Sequence, residues 1–125
     1  IAILAILMAI AIPAYQDYTV RAKIADCISA VGGAKVFVSE TATSDGDLVG
    51  AGDYSNFVEP NLADNPNCSN LEVDDTTGVI TVDSSAGQTG SLTFTPTQTL
   101  RTDPIEWKCT SDYDPNQLPT ECRGS

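Results

Sequence analysis

The apolar residues divide the chain into a uniformly apolar start and a longer part in which apolar and polar residues are mixed. Residues 1–12 are Ile, Ala, Leu and Met only. This pattern predicts a helix that is apolar on every side, which has to be buried all round in protein or lipid. Twelve residues cover only ~18 Å, less than the ~30 Å hydrocarbon core of a bilayer. We therefore expect a longer apolar helix whose first residues precede Ile1.

Beyond residue 12, a proline is followed by an amphipathic pattern. Pro13 lacks an N–H group and clashes with the carbonyl of Ala9, so the helix is predicted to kink or to loosen at this point. From Ala14 to about Glu40, apolar residues recur at spacings of three and four, which predicts a helix with one stripe packed on a core. The stripe consists of Val20, Ile24, Cys27, Ile28, Val31 and Val38. The combined helix is too long for a globule of 125 residues, so its first half is predicted to project.

The second half of the chain has the alternating pattern of strands. Residues 41–70 are rich in Gly, Asp, Asn and Pro and are predicted to form a loop. Strands are then predicted at 71–75, 78–84, 91–99 and 105–110, with Gly78 in the first hairpin turn. Pro96 favours an edge position or a bulge for the third strand. Because four antiparallel strands need cover on their apolar face, the sequence predicts an α+β fold with the helix packed on the sheet.

Charge and composition narrow the function classes. The chain has 17 acidic and 6 basic residues, a net charge of −11, and all of them follow residue 13. Such a surface repels phosphate, which disfavours bulk nucleic-acid binding. Without histidine, a glycine-rich phosphate loop or a catalytic carboxylate pair, we predict no enzyme activity, no cofactor and no metal site. The acidic runs at 45–47 and 74–75 lack the calcium ligand ladder and are interpreted as solvated surface.

Four cysteines, at positions 27, 68, 109 and 122, predict two disulfides in an oxidising compartment. Three pairings are possible, and free buried thiols are the alternative. Cys109 and Cys122 are nearest in sequence and enclose a turn-rich stretch with two prolines that needs a covalent link. We therefore predict the pair Cys109–Cys122 and, by remainder, the pair Cys27–Cys68.

Two sequence stretches and the predicted architecture resemble those of type IV pilins, the subunits of bacterial surface filaments. The first stretch is IAILAILMAIAIPAYQDYTVRAK, and the second is the W-x-C motif at Trp107–Cys109 with its loop ending in L-P-x-x-C at Cys122. The resemblance implies a major subunit with the pilin fold, in which residues 1–13 form a projecting helix and residues 14–125 the globular domain. It implies that the filament core is formed by Ile1, Ile3, Leu4, Ile6, Leu7, Met8, Ile10 and Ile12.

The resemblance also implies partners and a location. The expected partners are further copies in a helical polymer, the pilus assembly machinery, the inner membrane before assembly and a host or abiotic surface afterwards. The expected roles are adhesion, twitching motility and DNA uptake, with residues 109–122 as an exposed loop. Terminal Ser125 is a candidate for an O-linked glycan. The family's N-methylated phenylalanine and early glutamate would precede Ile1. Ala5 stands where the family usually has glycine, and in assembled pili of the family the helix unwinds between that glycine and the proline. With alanine, a good helix former, at position 5, the resemblance implies a shorter helix break at Ala9–Pro13.

Two other functions remain open at this stage. A minor pilin, or a pseudopilin of a type II secretion system, would share the helix but act in small numbers. A membrane-anchored periplasmic binding domain would share the apolar run but stay monomeric and bind a ligand through its loops.

Overall fold

A computed structural model describes residues 1–86 and 89–123 of the chain. One long helix, α1 (Ala2–Asp45), is followed by a loop and four strands. The strands are β1 (Cys68–Val73), β2 (Ile80–Ser84), β3 (Gly90–Thr97) and β4 (Glu106–Ser111). Two short 3-10 turns follow, at Pro115–Gln117 and Thr120–Cys122. The α+β fold predicted from the sequence, a long helix with a four-stranded antiparallel sheet, is confirmed.

Helix α1 extends beyond the predicted end near Glu40 and stops at Asp45. Gly46 ends it in the left-handed conformation, with φ 76°, which glycine adopts without the steric cost of a Cβ. The additional turn is retained because Ala42 continues the buried stripe. Within α1 the buried residues are Ile24, Cys27, Val31, Ala34, Val38 and Ala42. Their spacing of three and four residues places one face of the second half of α1 against the sheet.

The sheet is an antiparallel meander in the order β1-β2-β3-β4. Its first strand begins at Cys68, earlier than predicted, because a bulge at Asn70, with φ 50°, lets the strand continue past a shift in register between Ser69 and Glu72. Along β3 every second residue is buried, including Leu92 and Phe94, as the alternation predicted.

The edge position suggested by Pro96 is wrong for the strand as a whole, since β3 lies between β2 and β4. The proline is tolerated because pairing with β2 stops at Phe94, opposite Ile80, so Pro96 lies beside β4 alone. It occupies a local edge within an inner strand.

The turn between β1 and β2 is built by local hydrogen bonds. Asp74 accepts hydrogen bonds from the backbone of Thr76 and Thr77 and from the Thr77 hydroxyl, and these bonds lower the pKa of its carboxyl. Gly78 then takes φ 72°, which confirms its predicted place in the turn. Here a Cβ would press on the side chains of Val38 and Tyr54.

The core lies between the inner face of the sheet and the buried stripe of α1. Tyr54 from the long loop completes it, with its ring fully buried and its backbone N–H donating to Asp75 at 2.9 Å. Burial raises the pKa of the Tyr54 hydroxyl, and the Gly50 backbone only partly opposes this shift.

Two disulfides join these elements. Cys27–Cys68 connects α1 to the start of β1, and Cys109–Cys122 connects β4 to the second 3-10 turn. Both bonds have the pairing that the sequence analysis proposed, and every cysteine takes part in one of them.

Candidate functional site

The apolar segment, residues 1–13, is the most unusual surface of the molecule. Every residue in it is exposed. Each residue named above for the filament core exposes more than half of its surface, from 54% at Ile12 to 104% at Ile1. None of these side chains belongs to the core between helix and sheet. An exposed apolar surface of this extent marks a site of contact with protein or membrane.

The apolar segment could bind through burial of its side chains, because it carries no group for acid–base, nucleophilic or metal chemistry. Moving one Ile, Leu or Met side chain out of water contributes roughly 1.5–3 kcal/mol. Helix α1 is also long and apolar enough, by length and composition, to cross a membrane. The segment can therefore be stabilised either by lipid or by other apolar helices.

The predicted helix break lies inside this segment. In the single chain, α1 is helical throughout, with Pro13 in its interior. Pro13 has no N–H group to donate to the Ala9 carbonyl, so this turn of α1 lacks one helical hydrogen bond. Unwinding at Ala9–Pro13 thus stays a prediction for the assembled state.

The disulfide-bounded loop, residues 109–122, is a second candidate surface. Tyr113 and Leu118 are buried beneath it, and the Tyr113 hydroxyl donates to the Ser84 carbonyl at 2.8 Å. Arg21 of α1 donates to the Asn116 carbonyl at 2.6 Å. The tip at residues 114–116 remains exposed. The loop therefore presents a polar tip on a base that is anchored to both the helix and the sheet.

Lys35 lies where helix, sheet and disulfide-bounded loop meet. Its ammonium group is 4.4 Å from the centre of the Phe94 ring and 5.6 Å from that of Trp107, which is half-buried against the core. Burial lowers the pKa of Lys35, while the negative charge of Glu121 partly opposes that shift. The lysine thus joins the three elements by contact with two rings and by attraction to a carboxylate.

Comparisons with known proteins agree with this architecture. The family model of pilin, a bacterial filament protein, matches residues 20–123. The chain is 33% identical over 140 residues to the fimbrial protein EcpC of Eikenella corrodens, covering all of this chain and 84% of that protein. It is 28% identical over 141 residues to the type IV major fimbrial protein FimA of Dichelobacter nodosus, covering 98% of this chain and 88% of that protein.

The chain belongs to the pilin family. The resemblance to type IV pilins is thereby confirmed, and this pilin is a structural subunit of a pilus filament rather than an enzyme. Its place of action is the extracellular pilus. Across the part of the chain that the structure describes, no group of three His, Cys, Asp or Glu side chains is arranged to hold a metal ion.

The structure does not bring all the predicted site residues of this pilin together. The apolar segment and the disulfide-bounded loop belong to different parts of the fold. Among the predicted site residues that the structure describes, the four cysteines form covalent bonds between elements, Cys27 with Cys68 and Cys109 with Cys122. Ser125, the candidate for a glycan, lies outside the described residues.

Sequence reasoning missed the roles of four cations. Arg21 and Lys35 anchor the disulfide-bounded loop to α1, Arg123 donates from Nε and Nη2 to the Leu118 carbonyl, and Arg101 reaches the end of α1 at Gly46. Only the scarcity of basic residues in so acidic a chain could have indicated that each cation has a structural partner. For Arg21, Lys35 and Arg101, spacing carries no periodic signal, because their partners come from distant parts of the chain.

Proposed function

We propose that the pilin polymerises by burying its apolar segment among the same segments of neighbouring copies, which together form the filament core. The observation that carries this proposal is the complete exposure of residues 1–13 in a single subunit. A helix that is apolar on every side needs neighbours on every side. Contacts between different surfaces of successive copies do not close, and they extend into a fibre.

Before assembly, the same segment anchors the subunit in the inner membrane, from which the assembly machinery takes it. The length and hydropathy of α1 support this stage. Lipid and neighbouring helices offer the segment a similarly apolar environment. Transfer from membrane to filament therefore requires no exposure of the segment to water.

In the filament, the disulfide-bounded loop contributes to attachment to a host or abiotic surface. Its tip is exposed, and its base is fixed by the disulfide, by Arg21 and by Tyr113. A preorganised loop loses little conformational entropy when it binds, which favours affinity. Twitching motility and DNA uptake are further roles of the polymer that we propose from family membership alone.

A major subunit is favoured over a minor pilin or a pseudopilin. FimA of Dichelobacter nodosus, a type IV major fimbrial protein, aligns with 98% of this chain. Abundance in purified filaments separates these possibilities, since a major subunit forms most of the filament mass. A membrane-anchored binding domain is the weaker alternative, and it would stay monomeric when detergent is removed.

The test is a charge placed in the apolar segment. In cells that assemble the full-length protein, Ile6→Asp is expected to remove filaments from the sheared surface fraction, as seen by negative-stain microscopy. An unpaired carboxylate cannot be buried without a large desolvation cost. Val58→Asp is the matched control, because Val58 is also a highly exposed apolar residue but lies in the loop. Wild-type protein that is found only in membranes, never in a polymer, would contradict the proposal.

A further inference from the structure

A groove follows the outer edge of the sheet at β1. This strand has a neighbouring strand, β2, on one side only. Two cavities, of about 390 Å³ and about 370 Å³, are lined by β1 with its turn and by residues 57–63 of the long loop. Glu59 lines both cavities, so they adjoin and form what we call the edge groove. Its strand part, residues 69–73, extends over ~16 Å, which is enough for about five residues of an extended peptide.

The backbone of β1 keeps hydrogen-bonding groups available on this side. An edge strand directs the N–H and C=O of every second residue away from its neighbouring strand. Within the described ranges, no backbone hydrogen bond joins residues 57–63 to β1. The loop bonds only beyond the end of the strand, where the Tyr54 N–H donates to the Asp75 carbonyl. The edge can therefore pair with another extended backbone, which is the recognition mode called β-augmentation.

The charge of the edge groove favours a basic occupant. Its carboxylates come from both walls and are those of Glu59, Glu72, Asp74 and Asp75. Among the described residues that line the groove, none is basic. Like charges placed opposite each other in a sheet are destabilising, so the same edge of a second copy is a poor partner, whereas Lys and Arg side chains gain attraction.

The two sides of the edge groove differ in polarity. Toward the core, Leu71 and Val73 are buried, and Phe57 and Leu62 are half-buried against them. Toward the outer face of the sheet, the Glu72 side chain is exposed, as the alternation in β1 requires. Successive side chains of a strand point to opposite faces. A strand added here would thus place every second residue beside apolar side chains and the others beside a carboxylate.

We infer that the edge groove is the docking site for an extended basic segment of a partner protein, in which basic and apolar residues alternate. The segment lies beside β1 as a fifth strand of the sheet. The bulge between Ser69 and Glu72 interrupts regular pairing, so pairing is centred on Leu71–Val73. This inference goes beyond the proposed function, because it concerns the sheet of each subunit and does not depend on polymerisation.

The test uses full-length pilin in an uncharged detergent and labelled six-residue peptides with blocked ends, followed by fluorescence anisotropy. A peptide of alternating Lys and Val is expected to bind about tenfold or more tightly than one with the same residues in two blocks, because only alternation matches both sides of the groove. N-methylation of every second residue of the alternating peptide removes backbone donors without changing its charge. It should weaken binding by about tenfold.

A charge reversal in the protein is the second arm of the test. Glu72→Lys is expected to weaken binding of the alternating peptide by about tenfold or more, because attraction becomes repulsion. Glu106→Lys is the matched control, since Glu106 is also exposed on a strand but belongs to β4 at the opposite edge of the sheet. It should change binding by less than about twofold. Both variants should keep the wild-type Tm, because neither side chain is buried.

Amide hydrogen exchange locates the bound peptide. Protection should increase at residues 69–73 when the alternating peptide is added. Equal binding of the block or N-methylated peptide would identify simple charge attraction and overturn the inference. No binding of the alternating peptide, or protection confined to other parts of the chain, would overturn it as well. None of these results bears on filament formation, so the proposed function is judged separately by its own test.

Discussion

At the residue scale, the end of α1 shows how two distant positions depend on each other. The last turn of α1 contains no basic residue and ends in Asp45, although partial negative charge accumulates at a helix C-terminus. Arg101, from the turn between β3 and β4, places its guanidinium against Gly46. It thereby supplies the positive charge that the helix sequence lacks. Because Arg101 fills this space, a side chain at Gly46 would overlap it.

Gly46→Ala is predicted to destabilise the pilin by about 2 kcal/mol or more. A left-handed alanine costs roughly 1–2 kcal/mol, and displacement of Arg101 adds to that cost. Gly50→Ala is the matched control, since Gly50 has φ 92° with nothing near its Cβ position. Gly50→Ala should lower the free energy of unfolding only by the cost of the left-handed backbone conformation for alanine. Urea denaturation followed by circular dichroism measures both, and equal losses in the two variants would show that Arg101 moves aside at no cost.

At the scale of elements, the two disulfides differ in the length of the loop that each closes and in how much each stabilises the fold. Cys27–Cys68 encloses a sequence separation of 41 residues and joins the helix to the first strand. Cys109–Cys122 encloses only 13 residues, and its loop has other attachments through Arg21, Tyr113 and Arg123. The chain-entropy model assigns about 4 kcal/mol to the larger loop and about 3 kcal/mol to the smaller one.

The double variant Cys109→Ser with Cys122→Ser is predicted to keep α1 and the sheet but to loosen the disulfide-bounded loop and impair assembly or adhesion. Hydrogen exchange should rise at residues 112–122 and stay low along β2 and β3. The double variant Cys27→Ser with Cys68→Ser is the comparison, and it should lower the stability of the whole domain more. A uniform rise in exchange with the first variant would contradict the prediction.

The elements themselves were largely predictable from local pattern. Alternation in β3 and the stripe of α1 follow from side-chain geometry in a strand and a helix, which depends on neighbours a few residues away. The errors have a common cause. The last turn of α1, the early start of β1 and the inner position of Pro96 all depend on which segments lie alongside, and a local pattern does not contain that information.

At the scale of the whole molecule, charge and apolar surface act against each other. The net charge of −11 makes neighbouring subunits repel, while the apolar segment favours their association. Four of the six cations, Arg21, Lys35, Arg101 and Arg123, are held in place by contacts within the subunit. With 17 acidic residues against 6 basic ones, the subunit has little positive charge to offset repulsion between copies, so counterions in solution have to screen that repulsion.

Purified filaments are accordingly predicted to lose subunits or break at low ionic strength. The screening length grows from about 8 Å at 0.15 M salt to about 30 Å at 0.01 M, so repulsion then extends over a whole subunit. Sedimentation after dialysis measures the fraction of filaments that stay intact. This fraction should fall when salt is removed, and an osmotically matched sugar should restore less of it than salt does. Filaments equally intact at both ionic strengths would show that the core contact dominates.

The amino-acid sequence by itself determined the elements and the uncovered apolar segment, because hydrophobic periodicity and the lack of any polar group in residues 1–12 are local properties. It also indicated the disulfides from spacing and turn content. Only the tertiary structure decided where Arg21, Lys35 and Arg101 bind, and that β3 lies inside the sheet. Each of these depends on contacts between residues far apart in the chain, and such contacts exist only once helix and sheet have packed together.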